Sequence, residues 1–210
     1  MGDPCHLVLS CHLYAAIMTN DVARLVARGQ LWLWILLLVC IALHPGLVLK
    51  RNESGLSNYG IHLKTVVPYS LSLILGATYS FRATRLIRAD GYLSLVFRWI
   101  LWTYALLLAF SLISTYIYKL NNPLNDLHVG INVATALFET IAAAWMAFIW
   151  RKHSAVLVIF GSEVSGFVLG ALTIANVVHL VLVSEALVGI GFGLLLYRSL
   201  TLWERSPTIC

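Results

Sequence analysis

Six times along this chain a run of about 20 apolar residues occurs, and nothing else in the sequence constrains the fold as tightly. A helix of ~20 residues crosses ~30 Å of hydrocarbon, where each backbone N–H and C=O must find its partner within the protein. The runs cover about 31–49, 66–84, 93–118, 128–150, 155–175 and 178–200. The last two merge into one nearly charge-free stretch, 155–200. As a single helix it would be roughly 69 Å long, about twice the bilayer thickness. It must therefore fold back, and Thr173-Ile174-Ala175-Asn176 is the polar place to do so. The predicted fold is all-α: a polytopic bundle of six transmembrane helices over 31–203. An N-terminal segment, 1–30, precedes it and a short tail, 204–210, follows.

Composition agrees with a multi-pass integral membrane protein. Of the 210 residues 60% are hydrophobic, only 11% are charged, and the mean hydropathy is +0.86. Soluble domains carry about 25% charged residues, so a soluble domain, a disordered chain and a nucleic-acid binder are all excluded as the main reading. The net charge of +5 suits loops that face anionic headgroups. Its distribution sets an orientation. Arg24, Arg28, Arg82, Arg85, Arg88, Arg98, Arg151, Lys152, Arg198 and Arg205 fall on one side, and Lys50, Arg51, Lys64 and Lys119 on the other. The richer side is expected to be cytoplasmic, with both termini there. Trp32, Trp34, Trp99, Trp102, Trp150 and Trp203 fall near that side, as interfacial anchors do.

The segment before the first run lacks the basic start and unbroken apolar core of a secretory signal. Thr19-Asn20-Asp21 reads as a cap that opens an amphipathic helix over 22–31, and Met18 competes with Met1 as the start. Cys5, Cys11, Cys40 and Cys210 are too irregularly spaced for a disulfide framework or a zinc site, and no cofactor is implied.

Three carboxyls lie at membrane depth, where an ionisable group costs about 2.5–3.5 kcal/mol on insertion scales: Glu139, Glu163 and Glu185, on spans four, five and six. They either share a site or each bond a neighbouring helix. Span four adds His128, Asn132 and Thr135, which share a helix face with Glu139 at spacings of four, three and four. Such a polar stripe must face the bundle interior or a wet cavity. Tyr104, Ser111, Thr115 and Tyr118 offer a matching hydroxyl face on span three. A polar-lined pocket opening outward follows, with interhelical hydrogen bonding as the alternative. In either case Glu139→Leu is expected to strand polar partners, whereas Glu139→Gln is nearly silent for folding.

His44, His62, His128 and His179 all map to outer ends or outer loops, without the spacing of a metal motif, so no metal site is assigned. Small residues recur every four positions, as Ser162, Gly166 and Gly170 on span five and Gly189 and Gly193 on span six. That spacing lets helix backbones approach, within the bundle or in a homo- or hetero-oligomer.

The first outer loop, 50–65, holds two glycines among Ser and Asn residues, the composition of tight turns. Thr65 and Pro68 suit the opening of span two. Asn52-Glu53-Ser54 matches a glycosylation acceptor. Leu56-Ser57-Asn58-Tyr59-Gly60 resembles the Ile-Ser-Asp/Glu-x-Gly signature in the same loop of six-span families. These are the DRAM/Frag-type membrane family and a bacterial six-span family of similar layout. Asn58 stands where that signature has an acid. The resemblance implies association with membrane lipids, with Ser57, Asn58 and Gly60 carrying the motif. The residues themselves read equally as a folded plug in which Gly60 supplies positive φ.

The reading that follows is a non-enzymatic protein whose outer loop and polar pocket handle or bind lipid. An intramembrane hydrolase or transferase with an outer His/Glu site is the alternative, although no nucleophile elbow or H-E-x-x-H motif occurs. A proton-coupled transporter using the mid-membrane Glu residues is a third, although no broken helix pair or repeated half accompanies it.

Overall fold

The computed structural model describes residues 4–48, 55–88, 91–117, 124–175 and 180–206, with side chains from Val22 onward except at 124–125 and 174. Among them the chain is all-helical. The α-helices are α1 (Pro4–Leu43), α2 (Val66–Leu86), α3 (Tyr92–Ile117), α4 (Leu124–Ile149), α5 (Ser154–Ile174) and α6 (Val181–Glu204). Two short 3-10 helices, η1 (Pro45–Leu47) and η2 (Leu56–Ile61), lie between α1 and α2.

Five described helices are long and apolar enough to cross a membrane: Val22–Leu43 within α1, α3, Asp126–Ile149 within α4, Ser154–Thr173 within α5, and α6. The sixth, α2, has 21 residues but is less apolar, because Ser70, Ser72, Thr78, Ser80, Arg82 and Arg85 interrupt it. Three of its hydroxyls donate within the helix: Ser70 to Val66 O, Ser72 to Tyr69 O at 2.6 Å and Thr84 to Phe81 O at 2.7 Å. Bonds of this kind let a polar residue sit at helix depth without a partner elsewhere.

The ends of the first run differ from expectation. No helix boundary falls at 30/31, and α1 stops at Leu43 rather than 49. Pro45 disfavours helical backbone at His44 and starts η1 instead. The fold-back between the last two runs occurs where the polar residues placed it, with α5 ending at Ile174 and α6 opening at Val181.

Contacts establish which ends lie together. Phe97 at the start of α3 packs on Trp145 near the end of α4 and on Trp203 at the end of α6. Ala23 N donates to Glu204 Oε1 at 3.2 Å, which joins the end of α6 to α1. At the opposite end η2 packs against α1, α2 and α3, and Leu56 bonds Glu185 near the start of α6. The helices therefore alternate in direction. Among the described residues α6 is the hub, touching α1, α4 and α5, while α5 packs mainly on α6 and, sparsely, on α4.

Buried side chains such as Phe97, Leu101, Met146, Phe192, Leu195 and Leu196 form the core. Large apolar residues also cover the outside, as Ile141 at 68% and Val158 at 74% exposure illustrate. An apolar exterior on every long helix is what a hydrocarbon solvent requires.

Candidate functional site

In the half of the bundle nearest η2, the six helices enclose a cavity of about 270 Å³. Its walls are mostly aliphatic, from Leu33 and Leu37 of α1 to Val188 of α6, with Leu56 and Ser57 of η2 at its end. Helix divergence makes the space. α4 and α5 are joined by a short turn at the far end of the bundle, yet they touch the least of all consecutive helix pairs. α5 instead hugs α6, where a Cβ on Gly166 would lie 2.6 Å from Leu187 Cβ and 2.9 Å from Val188 N. The gap left between α4 and α5 is lined by exposed Val133, Leu137 and Ala171, so the cavity reaches the apolar outer surface of the bundle there.

The polar stripe on α4 divides between two environments. His128, near the η2 end, is buried against α3: its Nδ1 pairs with Ser114 Oγ at 3.0 Å and its Nε2 with Asn132 Nδ2 at 3.1 Å. Ser114 donates to Ser111 O, and the Asn132 amide donates to the imidazole. The ring is thereby neutral, with its proton on Nδ1. This histidine braces α3 against α4 and does not line the cavity, which corrects its assignment to the pocket. Asn132, Thr135 and Glu139 do line it, facing Tyr104 and Ser111 of α3. Thr135 donates its hydroxyl to Ile131 O at 2.8 Å, which leaves the oxygen lone pairs free to accept.

The three carboxyls do not share one site. Glu139 is 93% buried, lines the cavity, and has no hydrogen-bond partner among the described residues. Glu185 also lines the cavity but is committed: its Oε2 accepts from Leu56 N at 2.6 Å and so holds the first turn of η2. Glu163 lies outside the cavity lining, fully buried where α5 meets α6. A Cβ on Gly191 would come within 2.9 Å of Glu163 Cβ, and both carboxyl oxygens lack a partner among the described residues.

The small-residue ridges also need correction. Gly166 and Gly170 do face α6, Gly170 lying against Ser184. Ser162 is exposed and returns its hydroxyl to Ile159 O, so it takes no part in the α5–α6 contact. Gly189 and Gly193 face α1, where added Cβ atoms would meet Trp34 Cζ2 and Gln30 Oε1, each at 2.6 Å. α6 thus offers one face to α5 through Ser184, Val188 and Gly191, and a different one to α1.

The loop motif is a plug. Tyr59 and Gly60 of η2 are buried, and Thr65 Oγ1 donates to Tyr59 O at 2.6 Å. Thr65 thus locks η2 and makes no side-chain cap on α2. Burial holds the Tyr59 hydroxyl above its ordinary pKa. Gly60 is required by close approach, not by positive φ: its Cβ would lie 2.4 Å from Thr115 Cγ2 and 2.7 Å from Tyr69 Cε1. Ser57 lines the cavity and Asn58 does not. His179, Tyr118 and Asn52-Glu53-Ser54 lie outside the described residues. The His44 and His62 rings meet at 4.9 Å with their planes tilted by 54°, and no three His, Cys, Asp or Glu side chains converge among the described residues.

Sequence reasoning missed Trp34 and Gln30. Trp34 was placed at an interface, yet it lies on Gly189 and lines the cavity. Gln30 Nε2 donates to Tyr104 OH at 3.1 Å, well inside the first span. The signal was the continuity of α1 through 30/31, which puts Gln30 and Trp34 in the same helix that packs on α6. Comparison with protein-family models, with curated proteins and with solved structures gives no match.

Proposed function

We propose that this chain is a non-enzymatic, lipid-handling membrane protein of six spans with both termini in the cytoplasm, and that its cavity receives a membrane amphiphile. α2 counts as the sixth span in this reading: it has the length, and it packs between α1 and α3. Arg24, Arg28, Arg82, Arg85, Arg88, Arg98, Arg151, Lys152, Arg198 and Arg205 gather at the end opposite η2, which supports a cytoplasmic assignment for that end.

One observation carries the lipid reading. The cavity combines aliphatic walls with a few convergent polar groups, as ligand sites do, and its side opening between α4 and α5 is bordered by exposed apolar residues. A ligand arriving through that gap comes from the hydrocarbon layer. The likeness of residues 56–60 to the six-span families points the same way, because Leu56 and Ser57 end the cavity. The test is mass spectrometry of amphiphiles that remain with protein purified in mild detergent. Wild type should carry one in near-equal stoichiometry, and Ala136→Phe, which fills the cavity, should lose it. Identical lipid content in the two proteins would remove the proposal.

Glu163 favours a second reading, proton-coupled transport, because a fully buried carboxyl with two unpartnered oxygens is where a transported proton is held. Glu163→Gln should abolish any proton uptake by reconstituted protein while leaving amphiphile binding intact. Uptake that survives the substitution excludes this role.

A further inference from the structure

Among the described residues that line the cavity there is no Lys, Arg or His, but there are two carboxyls and four aromatic rings. That inventory discriminates among lipid heads. A phosphate or carboxylate head would give up its hydration with no cation to receive it and two acidic groups beside it, a combination that costs far more than it returns. A positively charged head meets the opposite situation. Glu139 is 93% buried, faces the cavity and has no partner among the described residues, so its acceptor capacity is unspent. Thr135 has spent its proton on Ile131 O and can only accept further. Glu185 uses Oε2 for Leu56 N and has Oε1 left among the described residues. Trp34, Tyr69, Tyr104 and Phe167 also line the cavity, and aromatic rings attract a desolvated ammonium.

Resting on the lipid reading above, we infer that the cavity takes a single-chain amphiphile with a protonated amine head seated at Glu139. A primary ammonium presents three donors and no acceptor, which matches a site rich in acceptors. An alcohol of equal chain length offers one donor and no charge, so it leaves the carboxyl largely unanswered. Volume restricts the tail. About 270 Å³ lies just below the ~300–1,000 Å³ of common small-molecule sites, which favours a single chain. One chain leaving between Val133 and Ala171 fits, because both residues are exposed to the hydrocarbon side.

The experiment is photolabelling of the full-length protein in phosphatidylcholine nanodiscs with a diazirine analogue of dodecylamine, mapped by peptide mass spectrometry. Unlabelled dodecylamine, dodecanol and dodecyl phosphate compete. Labelling should map to α4 and α5 beside the cavity, and dodecylamine should compete at about tenfold lower concentration than either of the others. Glu139→Gln should erase that preference without lowering the thermal midpoint. Equal competition by dodecanol or dodecyl phosphate would overturn the amine assignment and leave the lipid cavity standing. Labelling spread over the outer helix faces and unchanged in Ala136→Phe would overturn both.

Discussion

Glu139 and Glu185 line one cavity, and their surroundings give them opposite consequences for stability. Glu185 accepts the Leu56 N–H at 2.6 Å, so Glu185→Leu leaves a backbone donor unpaired and loosens η2. Hydrogen bonds to charged groups are worth about 1.5–3 kcal/mol, and a loss of that size is expected in detergent unfolding. Glu139 has no such partner among the described residues, which reverses the expectation drawn from its helix face. Glu139→Leu should unfold no earlier than wild type when no amphiphile is present, because it removes a buried group without stranding another. A clear fall in its midpoint would expose a partner for Glu139. Gly60 makes a third test. An added Cβ would meet Thr115 and Tyr69 inside 3 Å, and Gly60→Ala should cost about 1–3 kcal/mol by overpacking. Gly55→Ala, with φ at −71° and its nearest contact at 3.4 Å, should be close to neutral. Equal midpoints for the two alanine variants would remove the close-approach argument.

At the level of elements, two glycines of α5 separate packing from propensity. Gly166 approaches α6 so closely that a Cβ would lie 2.9 Å from Val188 N, a backbone atom that cannot turn aside. Gly161 has nothing within 4 Å. Both sit in the same helix, so Gly→Leu gains similar helix propensity at each, about 1 kcal/mol at most. Gly161→Leu should therefore be neutral or stabilising in detergent, while Gly166→Leu should drive α5 from α6 and lower the midpoint by several degrees. A Gly166→Leu protein as stable as Gly161→Leu would mean that α5 does not dock through this ridge. The same ridge governs the cavity, since α5 held on α6 is α5 held away from α4.

For the whole molecule, orientation is tested by labelling at its two ends. In a background freed of the other reactive cysteines, Leu63→Cys and Lys152→Cys report on opposite ends of the bundle. Leu63 is 95% exposed beside η2, and Lys152 lies exposed in the α4–α5 turn. A membrane-impermeant maleimide should label Leu63→Cys on intact cells and Lys152→Cys only after permeabilisation. The reverse pattern would invert the topology, and labelling of both from outside would remove α2 or another helix from the set of spans.

Length and hydrophobicity were enough, read along the sequence, to determine an all-helical chain with several long apolar helices. They also located the fold-back near 173–176, because backbone pairing in hydrocarbon admits few other solutions. Helical period placed Asn132, Thr135 and Glu139 on one face, since the angle between neighbouring side chains is a local property. Their separation from His128 was decided by tertiary structure: a face tells which residues point together, not where a neighbouring helix ends and a cavity begins. The roles of Glu185 and Gly60 are likewise invisible locally, because each depends on a contact between segments distant in sequence, η2 with α6 and η2 with α2 and α3. So too with Trp34, which a span boundary drawn from hydropathy left at a surface and which packing on Gly189 brings into the cavity wall. Hydropathy is a sum along the chain, whereas a cavity is what remains when helices diverge, and only their packing sets where they do.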